Sequence, residues 1–303
     1  MNTKYLSFDN KLKEKGITFI CNEPMKKHIT FKLGGNAKRF VTVNNECELK
    51  TVLSAVNESS LRYFILGNGS NMLVCDEGFD GVVITLGGEF SEIKLLSESE
   101  ISCGAGASLS SLCAFARKNS LTGLEFAWGI PGSAGGAAYM NAGAYGGEMK
   151  DVLASCEHID KNGNKGSFSG EELSLGYRKS AYTDKDFIIT KLILNLKKGD
   201  YDEINSKMGE LMDKRKSKQP LEYPSAGSTF KRPEGYFAAA LIEECGLKGL
   251  SVGDAEVSVK HSGFVINKGE ASCSDVLNLI EKIKAIVKEE KDVELECEVK
   301  LLK

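Results

Sequence analysis

Seven glycines fall within 19 residues of this chain, in the segment GIPGSAGGAAYMNAGAYGG at positions 129–147. A chain with 32 glycines in 303 residues would place about two there. Glycine lacks a Cβ, so its backbone adopts positive φ and approaches other groups closely. Ser133, Asn141 and Tyr145 are interleaved with the glycines, without a run of charge. The segment therefore predicts a backbone cradle for a large neutral or anionic cofactor.

A second glycine-rich loop, GNGSN at 67–71, follows a predicted strand. Consecutive backbone amides in such a loop can bind an anion such as a pyrophosphate. It is not a dinucleotide fingerprint, because Met72 occupies the third glycine position, and the chain contains no GK[ST] phosphate loop. Pro131 stands where a nucleophile elbow needs glycine, which argues against a hydrolase triad. The simpler interpretation, that GNGSN is only a tight turn, stays open at this point.

The order of strand and helix patterns predicts an α+β protein. From residue 38, KRFVTV, NECELKTVLSAVNESS and LRYFILG have the patterns of a strand, a helix and a strand. The pattern of 108–120 predicts another helix, and FIITKLILNLKKG predicts a buried strand. Further helices are expected at 236–246 and at about 275–290, and VELECEVKLL is expected to form the last strand.

A polar segment at 197–220 ends in Pro220, and we place a domain boundary near residue 200. The expected domains are a first region over 1–200, divided into parts of about 1–88 and 89–200, and a second region over 201–303.

The composition argues against several classes of function. Lys and Arg number 39 against 42 Asp and Glu, a net charge of −3 spread along the chain, which argues against nucleic-acid binding. No apolar run approaches a membrane span, and the N-terminus lacks the apolar core of a secretory signal. Nine cysteines without a CxxC pair and three scattered histidines give no metal pattern. We expect a cytoplasmic monomer that acts on small molecules, with no membrane or metal partner.

Several long motifs together resemble a known family. They are LGNGSNMLV (66–74), GLEFAWGIPGSAGGAAYMNAGAYGGE (123–148), LGYRKSAY (175–182), YPSAGSTFKRP (223–233), LIEECGLKG (241–249) and VELECEVK (293–300). In this order the chain resembles the UDP-N-acetylenolpyruvoylglucosamine reductases of peptidoglycan synthesis over roughly residues 28 to 302, in their compact type without a substrate-capping insertion. The resemblance implies an FAD-binding region of the vanillyl-alcohol-oxidase (PCMH) type, made of two α/β subdomains, and a C-terminal α/β substrate-binding domain.

The resemblance also implies the reaction. NADPH would reduce non-covalently bound FAD, and N5 of the flavin would pass hydride to the enolpyruvyl methylene of UDP-N-acetylglucosamine enolpyruvate, giving UDP-N-acetylmuramate. Arg178 would bind the substrate carboxylate, which suits a planar guanidinium. Ser228 would protonate the enolate carbon, and Glu298 would help polarise the carboxylate.

Other site residues follow from the same resemblance. Tyr177, Lys218, Lys231 and Arg232 would contact the substrate, and Arg232 stands where the family often has asparagine. His261 lies on a segment expected to line the substrate domain, where a structural role is as plausible as a functional one. The expected cofactor-binding residues are Gly67, Asn68, Gly69, Ser70, Asn71, Gly132, Ser133, Gly135, Gly136, Asn141, Gly143 and Ala144.

Alternation by itself does not single out Glu298. It places Glu294, Glu296 and Glu298 together on a face that periodicity predicts to be solvated, and only the resemblance distinguishes Glu298 from its neighbours. Two other functions stay open: an FAD oxidoreductase of the same fold that uses oxygen as acceptor, and a non-catalytic nucleotide-sugar binding protein.

Overall fold

The structure is a computed structural model and describes residues 3–303. Within that range the α-helices are α1 (Thr3–Glu14), α2 (Glu46–Glu58), α3 (Leu109–Lys118), α4 (Ala134–Tyr139), α5 (Tyr201–Lys218), α6 (Ala238–Glu244) and α7 (Cys273–Lys291). The strands are β1 (Ile20–Pro24), β2 (Asn36–Val43), β3 (Tyr63–Ile65), β4 (Met72–Val74), β5 (Phe79–Leu86), β6 (Ile93–Leu95), β7 (Glu100–Gly104), β8 (Leu121–Thr122), β9 (Gly143–Ala144), β10 (Gly147–Glu148), β11 (Leu153–Asp160), β12 (Lys165–Ser169), β13 (Phe187–Asn195), β14 (Lys197–Lys198), β15 (Ser225–Ser228), β16 (Ser251–Val252), β17 (Ala255–Val257), β18 (Phe264–Asn267) and β19 (Lys300–Leu302).

The chain divides into two compact units. Unit 1 comprises Arg39–Asn68, Gly81–Lys214 and the N-terminal residues through Ile20, and unit 2 comprises Cys21–Lys38, Gly69–Asp80 and Arg215–Lys303. The chain therefore passes between the units several times. Two segments from the first 80 residues, 21–38 and 69–80, belong to the same unit as the C-terminal residues. The expectation of functional regions over 1–200 and 201–303 stays a prediction.

Unit 1 contains two hydrophobic clusters. In one, α2 packs its apolar stripe with residues of α1, β2 and β5, and β3 pairs with β5 in parallel. In the other, an antiparallel five-stranded sheet in the order β12-β11-β13-β7-β6 packs with α3 and α4. Helix α2 begins where predicted, because the Asn45 side chain accepts the backbone N–H of Glu48 and caps the first turn.

Unit 2 is built on an antiparallel sheet in the order β15-β18-β17-β16, with α6 and α7 beside it. Its second sheet is the parallel pair of β19 and β4, so the strand that follows the GNGSN loop lies beside the end of the chain. Helix α7 starts at a capping box in which Ser272 and Asp275 each bind the other's backbone N–H. The four-stranded antiparallel sheet carries Ser228 at the end of β15.

Three elements differ from the sequence prediction. Helix α1 has Phe8 and Leu12 fully buried, although its low overall hydropathy gave no strong signal. Helix α4 forms inside the glycine-rich segment, because Ser133 caps it and small residues leave room for close packing. The final strand is only Lys300–Leu302, shorter than the ten-residue alternating pattern. None of the helices among residues 3–303 is both long and apolar enough to span a lipid bilayer.

Candidate active site

The two glycine-rich segments meet within unit 1. A Cβ built at Gly67 would lie 2.4 Å from the Oγ of Ser133, closer than any real Cβ contact. Ser133 is buried and caps α4, accepting the backbone N–H of Gly136 at 3.2 Å. Gly67 and Gly136 themselves are exposed. Glycine at position 67 therefore lets this loop approach Ser133 closely, and the two segments lie side by side with Gly67 and Gly136 open to solvent.

The loop at 67–71 also presents unused backbone donors. None of its five amides donates a hydrogen bond within the described chain. Backbone N–H groups normally find a partner, and a series of neighbouring amides forms an anion-binding concavity. This loop is therefore suited to hold a pyrophosphate, which is the role predicted for it.

Several glycines of the second segment serve packing. The N–H groups of Ala134 and Gly135 donate to the carbonyls of Ala107 and Ala105, both at 2.8 Å. A Cβ on Gly135 would lie 2.8 Å from the Cβ of Ala105. A Cβ on Gly143 would be equally close to Glu148. The cofactor-binding roles predicted for this segment stay predictions, namely those of Gly132, Ser133, Gly135, Gly136, Asn141, Gly143 and Ala144.

Asn141 has a role that sequence reasoning missed. The residue is fully buried, and its backbone has a φ of +44°. Its Nδ2 donates to Glu148 Oε2 at 2.7 Å and to the Gly176 carbonyl at 3.1 Å. Its Oδ1 accepts the N–H of Lys150 at 2.9 Å. The amide thus ties the glycine-rich segment to the residue just before Tyr177 and Arg178. No local pattern signals such a contact, because it joins residues 35 positions apart.

Arg178 occupies a strained position in a tight turn. Gly176 and Lys179 pair with each other through both backbone hydrogen bonds, at 3.1 and 3.2 Å, so Tyr177 and Arg178 form the tip. Arg178 has a φ of +55°, a left-handed conformation that glycine or asparagine normally supplies. Its guanidinium lies 5.0 Å from the centre of the exposed Tyr177 ring. The role predicted for Arg178 in binding the substrate carboxylate stays a prediction.

Ser228 lies at the end of a bulged strand in unit 2. Ser225 pairs with Ile266 and Ser228 pairs with Phe264, so three steps along β15 match two along β18. Gly227, with a φ of +75°, supplies the backbone conformation that the extra residue needs. Bulges re-aim the side chains beside them, and Ser228 is exposed while its neighbour Thr229 is buried.

The structure brings Glu298 next to this strand. Phe230 and Cys297 pair in antiparallel fashion, and the N–H of Glu298 donates to the Thr229 carbonyl at 2.8 Å. The side chain of Asn71 donates to the Glu298 carbonyl at 3.1 Å, which links the GNGSN loop to the same segment. Ser228 and Glu298 therefore lie on paired segments, although 70 positions separate them in the sequence.

Burial separates Glu298 from the glutamate two positions before it. Glu298 is only 8% exposed, whereas the Glu296 side chain is 72% exposed and forms an ion pair with Lys231. The alternating pattern predicted the same environment for both, and this expectation is wrong. The pattern fails because residues 292–299 pair only locally with residues 229–231 and do not form a strand in an open sheet.

The remaining substrate-binding candidates are on the surface of their units. Lys218 is exposed at the end of α5, and the Arg232 guanidinium lies 4.1 Å from the centre of the Phe237 ring. His261 accepts the N–H of Gly263 on its Nδ1 at 3.2 Å, and burial lowers the pKa of its imidazole. This local hydrogen bond favours the structural one of the two roles considered for His261. The contacts of Lys218, Lys231 and Arg232 with a substrate stay predictions.

Comparisons with known proteins agree with this geometry. Residues 219–302 match the C-terminal domain of UDP-N-acetylenolpyruvoylglucosamine reductase, and residues 37–165 match an FAD binding domain. The UDP-N-acetylenolpyruvoylglucosamine reductase of Clostridium novyi is 52% identical over 92% of this chain and 90% of its own. That of Clostridioides difficile is 49% identical over 98% and 97% of the two chains.

Solved structures of other proteins identify the fold. The crystal structure of UDP-N-acetylenolpyruvylglucosamine reductase from Thermus caldophilus has a TM-score of 0.81 at 39% identity, covering 95% of this chain and 99% of that one. A berberine bridge enzyme variant, a reticuline dehydrogenase, shares the fold alone, with a TM-score of 0.50 at 15% identity over 64% of this chain and 44% of its own. The predicted α+β fold with an FAD-binding region of the vanillyl-alcohol-oxidase type is confirmed. The chain belongs to the UDP-N-acetylenolpyruvoylglucosamine reductase family.

Proposed function

We propose that this chain reduces UDP-N-acetylglucosamine enolpyruvate to UDP-N-acetylmuramate with NADPH, in peptidoglycan precursor synthesis. The observation that carries the proposal is the pairing of segments 229–231 and 296–298. This pairing brings the end of the strand that carries Ser228 beside the segment that contains the buried Glu298. Relatives about half identical over nearly the whole chain carry the name of this reductase, which supports the same reaction here.

The residues present fit a bound FAD. A Cβ at Gly67 would overlap Ser133 Oγ, so glycine lets this loop approach the second glycine-rich segment, and the amides of 67–71, which donate no hydrogen bond within residues 3–303, would bind a pyrophosphate. Gly132, Ser133 and Gly136 would form the opposite side of the cradle. When bound, FAD supplies the hydride that reduces the enolpyruvyl double bond.

The chain's own residues then handle charge and a proton. Arg178 would bind the substrate carboxylate, where negative charge accumulates as the double bond is reduced. The fork of guanidinium donors suits both carboxylate oxygens. Glu298, shielded from water, would share a hydrogen bond with the same carboxylate and so stabilise its enolised form. Ser228 would donate its Oγ proton to the carbon that carried the charge. Tyr177, Lys218, Lys231 and Arg232 would contact the rest of the sugar nucleotide.

An anaerobic absorbance experiment tests the proposal. NADPH should bleach the flavin absorbance of the purified protein, and UDP-N-acetylglucosamine enolpyruvate should restore it with formation of UDP-N-acetylmuramate, identified by mass spectrometry. If only oxygen restores the absorbance, the protein is instead an oxygen-dependent oxidoreductase of the same fold. If NADPH causes no bleaching, a catalytic role with this reductant is ruled out.

Ser228→Ala separates the proton step from the rest. We expect bleaching by NADPH at the wild-type rate and a reoxidation by substrate that is about a hundredfold or more slower, the usual contribution of a proton donor. Ser251→Ala is the matched control, because Ser251 is an exposed serine on β16, at the opposite edge of the same sheet. Equal reoxidation rates in the two variants would show that Ser228 is not the donor.

A further inference from the structure

Thr30 has two hydrogen bonds that point to different functional segments of unit 2. Its backbone N–H donates to the Gly69 carbonyl at 3.2 Å, and its Oγ1 donates to the Ser225 carbonyl at 2.6 Å. The same Oγ1 lies 3.5 Å from the Gly69 carbonyl oxygen, a much longer contact, so its one proton goes to Ser225. Gly69 belongs to the loop expected to hold the pyrophosphate, and Ser225 begins the strand that ends at Ser228. One residue therefore bonds to both.

The contact with Ser225 lies at the start of the bulge. The N–H of Asn267 donates to the Pro224 carbonyl at 2.9 Å, so Ser225 occupies a non-hydrogen-bonded position and its own carbonyl points away from β18. The Thr30 hydroxyl satisfies that carbonyl. The extra residue of β15 follows directly, so the direction of the strand at Ser228 depends on how this end is held.

The contact with Gly69 is a close approach of two backbones. A Cβ on Gly69 would lie 2.3 Å from the His28 carbonyl oxygen and 2.8 Å from the Ile29 Cα. Gly69 is buried there at a φ of +62°, which glycine adopts without strain. The segment 28–30 therefore cannot move relative to this loop without separating packed backbones.

We propose that Thr30 is a positioning residue that holds the Ser228 strand in register with the cofactor loop. The inference rests on the proposed role of Ser228, but the placement of Thr30 can be tested independently. Thr30→Val preserves the shape and the backbone N–H while removing the hydroxyl, and Thr30→Ser preserves the hydroxyl. Thr51→Val is the matched control, since among residues 3–303 the Thr51 hydroxyl donates only to the Cys47 carbonyl of its own helix.

The first measurement compares the two halves of the reaction by anaerobic stopped flow on the flavin-loaded protein. We expect Thr30→Val to slow reoxidation by UDP-N-acetylglucosamine enolpyruvate about tenfold, as for loss of one hydrogen bond that sets a reactive geometry. Bleaching by NADPH should stay within about twofold of wild type, because the backbone hydrogen bond from Thr30 to Gly69 is kept. Thr30→Ser should restore reoxidation, and Thr51→Val should leave both rates unchanged.

The second measurement needs no turnover. Hydrogen exchange of the flavin-loaded protein should be faster at residues 225–230 in Thr30→Val, with exchange at 67–71 and flavin content unchanged. The inference is overturned if residues 225–230 of Thr30→Val exchange at the wild-type rate. It is also overturned if exchange at 225–230 and at 67–71 and the rates of bleaching and reoxidation all change together, because the substitution has then only disrupted the structure. If wild type fails to reduce the enolpyruvyl substrate but the exchange pattern appears, the proposed function falls and the placement of Thr30 stands.

Discussion

Replacing Arg178 with alanine or with glycine separates the chemistry of its side chain from the strain of its backbone. Both variants lose the guanidinium and its stacking on Tyr177, which is worth about 0.5–1 kcal/mol at an exposed site. Only glycine adopts the observed φ of +55° without penalty, and a non-glycine residue there costs about 1 kcal/mol. Arg178→Gly should therefore be about 1 kcal/mol more stable than Arg178→Ala, and close to wild type.

Thermal unfolding can resolve this difference. For a cooperative unit of roughly 180 residues, the size of unit 1, an entropy of about 2.1 cal/mol/K per residue converts 1 kcal/mol into a Tm difference of about 2–3 °C. Differential scanning calorimetry of the flavin-loaded variants, under one set of conditions, measures it directly.

Activity should not follow stability in this pair. Reoxidation by the enolpyruvyl substrate should be lost to the same extent in both variants, because neither can bind the substrate carboxylate. An Arg178→Ala protein as stable as Arg178→Gly would refute the strain argument. A glycine variant that kept wild-type reoxidation would refute the role of the side chain.

Three further predictions concern the surroundings of the site. Gly67→Ala would force a Cβ to 2.4 Å from Ser133 Oγ, so we expect less visible flavin absorbance per protein after purification; wild-type flavin content would show that Ser133 can shift to make room. Asn141→Asp cannot donate to Glu148, and we expect about 3 kcal/mol less unfolding free energy in urea, whereas an unchanged midpoint would contradict the buried hydrogen bonds. Burial lowers the pKa of His158, so its native form stays neutral while the unfolded chain takes up a proton below about pH 6.5. Stability should therefore fall as the pH drops below that value, and His158→Phe should give a shallower dependence of Tm on pH; an identical slope would assign the effect to other groups.

Local pattern was enough to predict most of the regular elements. Helices α2 and α7 were predictable because each has apolar residues at helical spacing and a capping side chain at its start. The long strand β13 was predictable from its apolar content. These features depend on residues a few positions apart, which the sequence displays directly. The ordered motifs likewise indicated the family before any coordinate was known.

The environment of the candidate catalytic groups depended on contacts that no local pattern encodes. Glu296 and Glu298 share one alternating stretch, yet only Glu298 is buried, because residues 229–231 pair with the segment that contains it. Asn141 donates a hydrogen bond to Gly176, which precedes the strained turn at Arg178. Thr30 donates one to Ser225, at the start of the Ser228 strand and almost 200 positions away. The sequence by itself determined which residue types and helical stripes were available. Which of them are buried, strained or brought together was decided by the tertiary structure, since burial and hydrogen bonding depend on the segment that packs alongside.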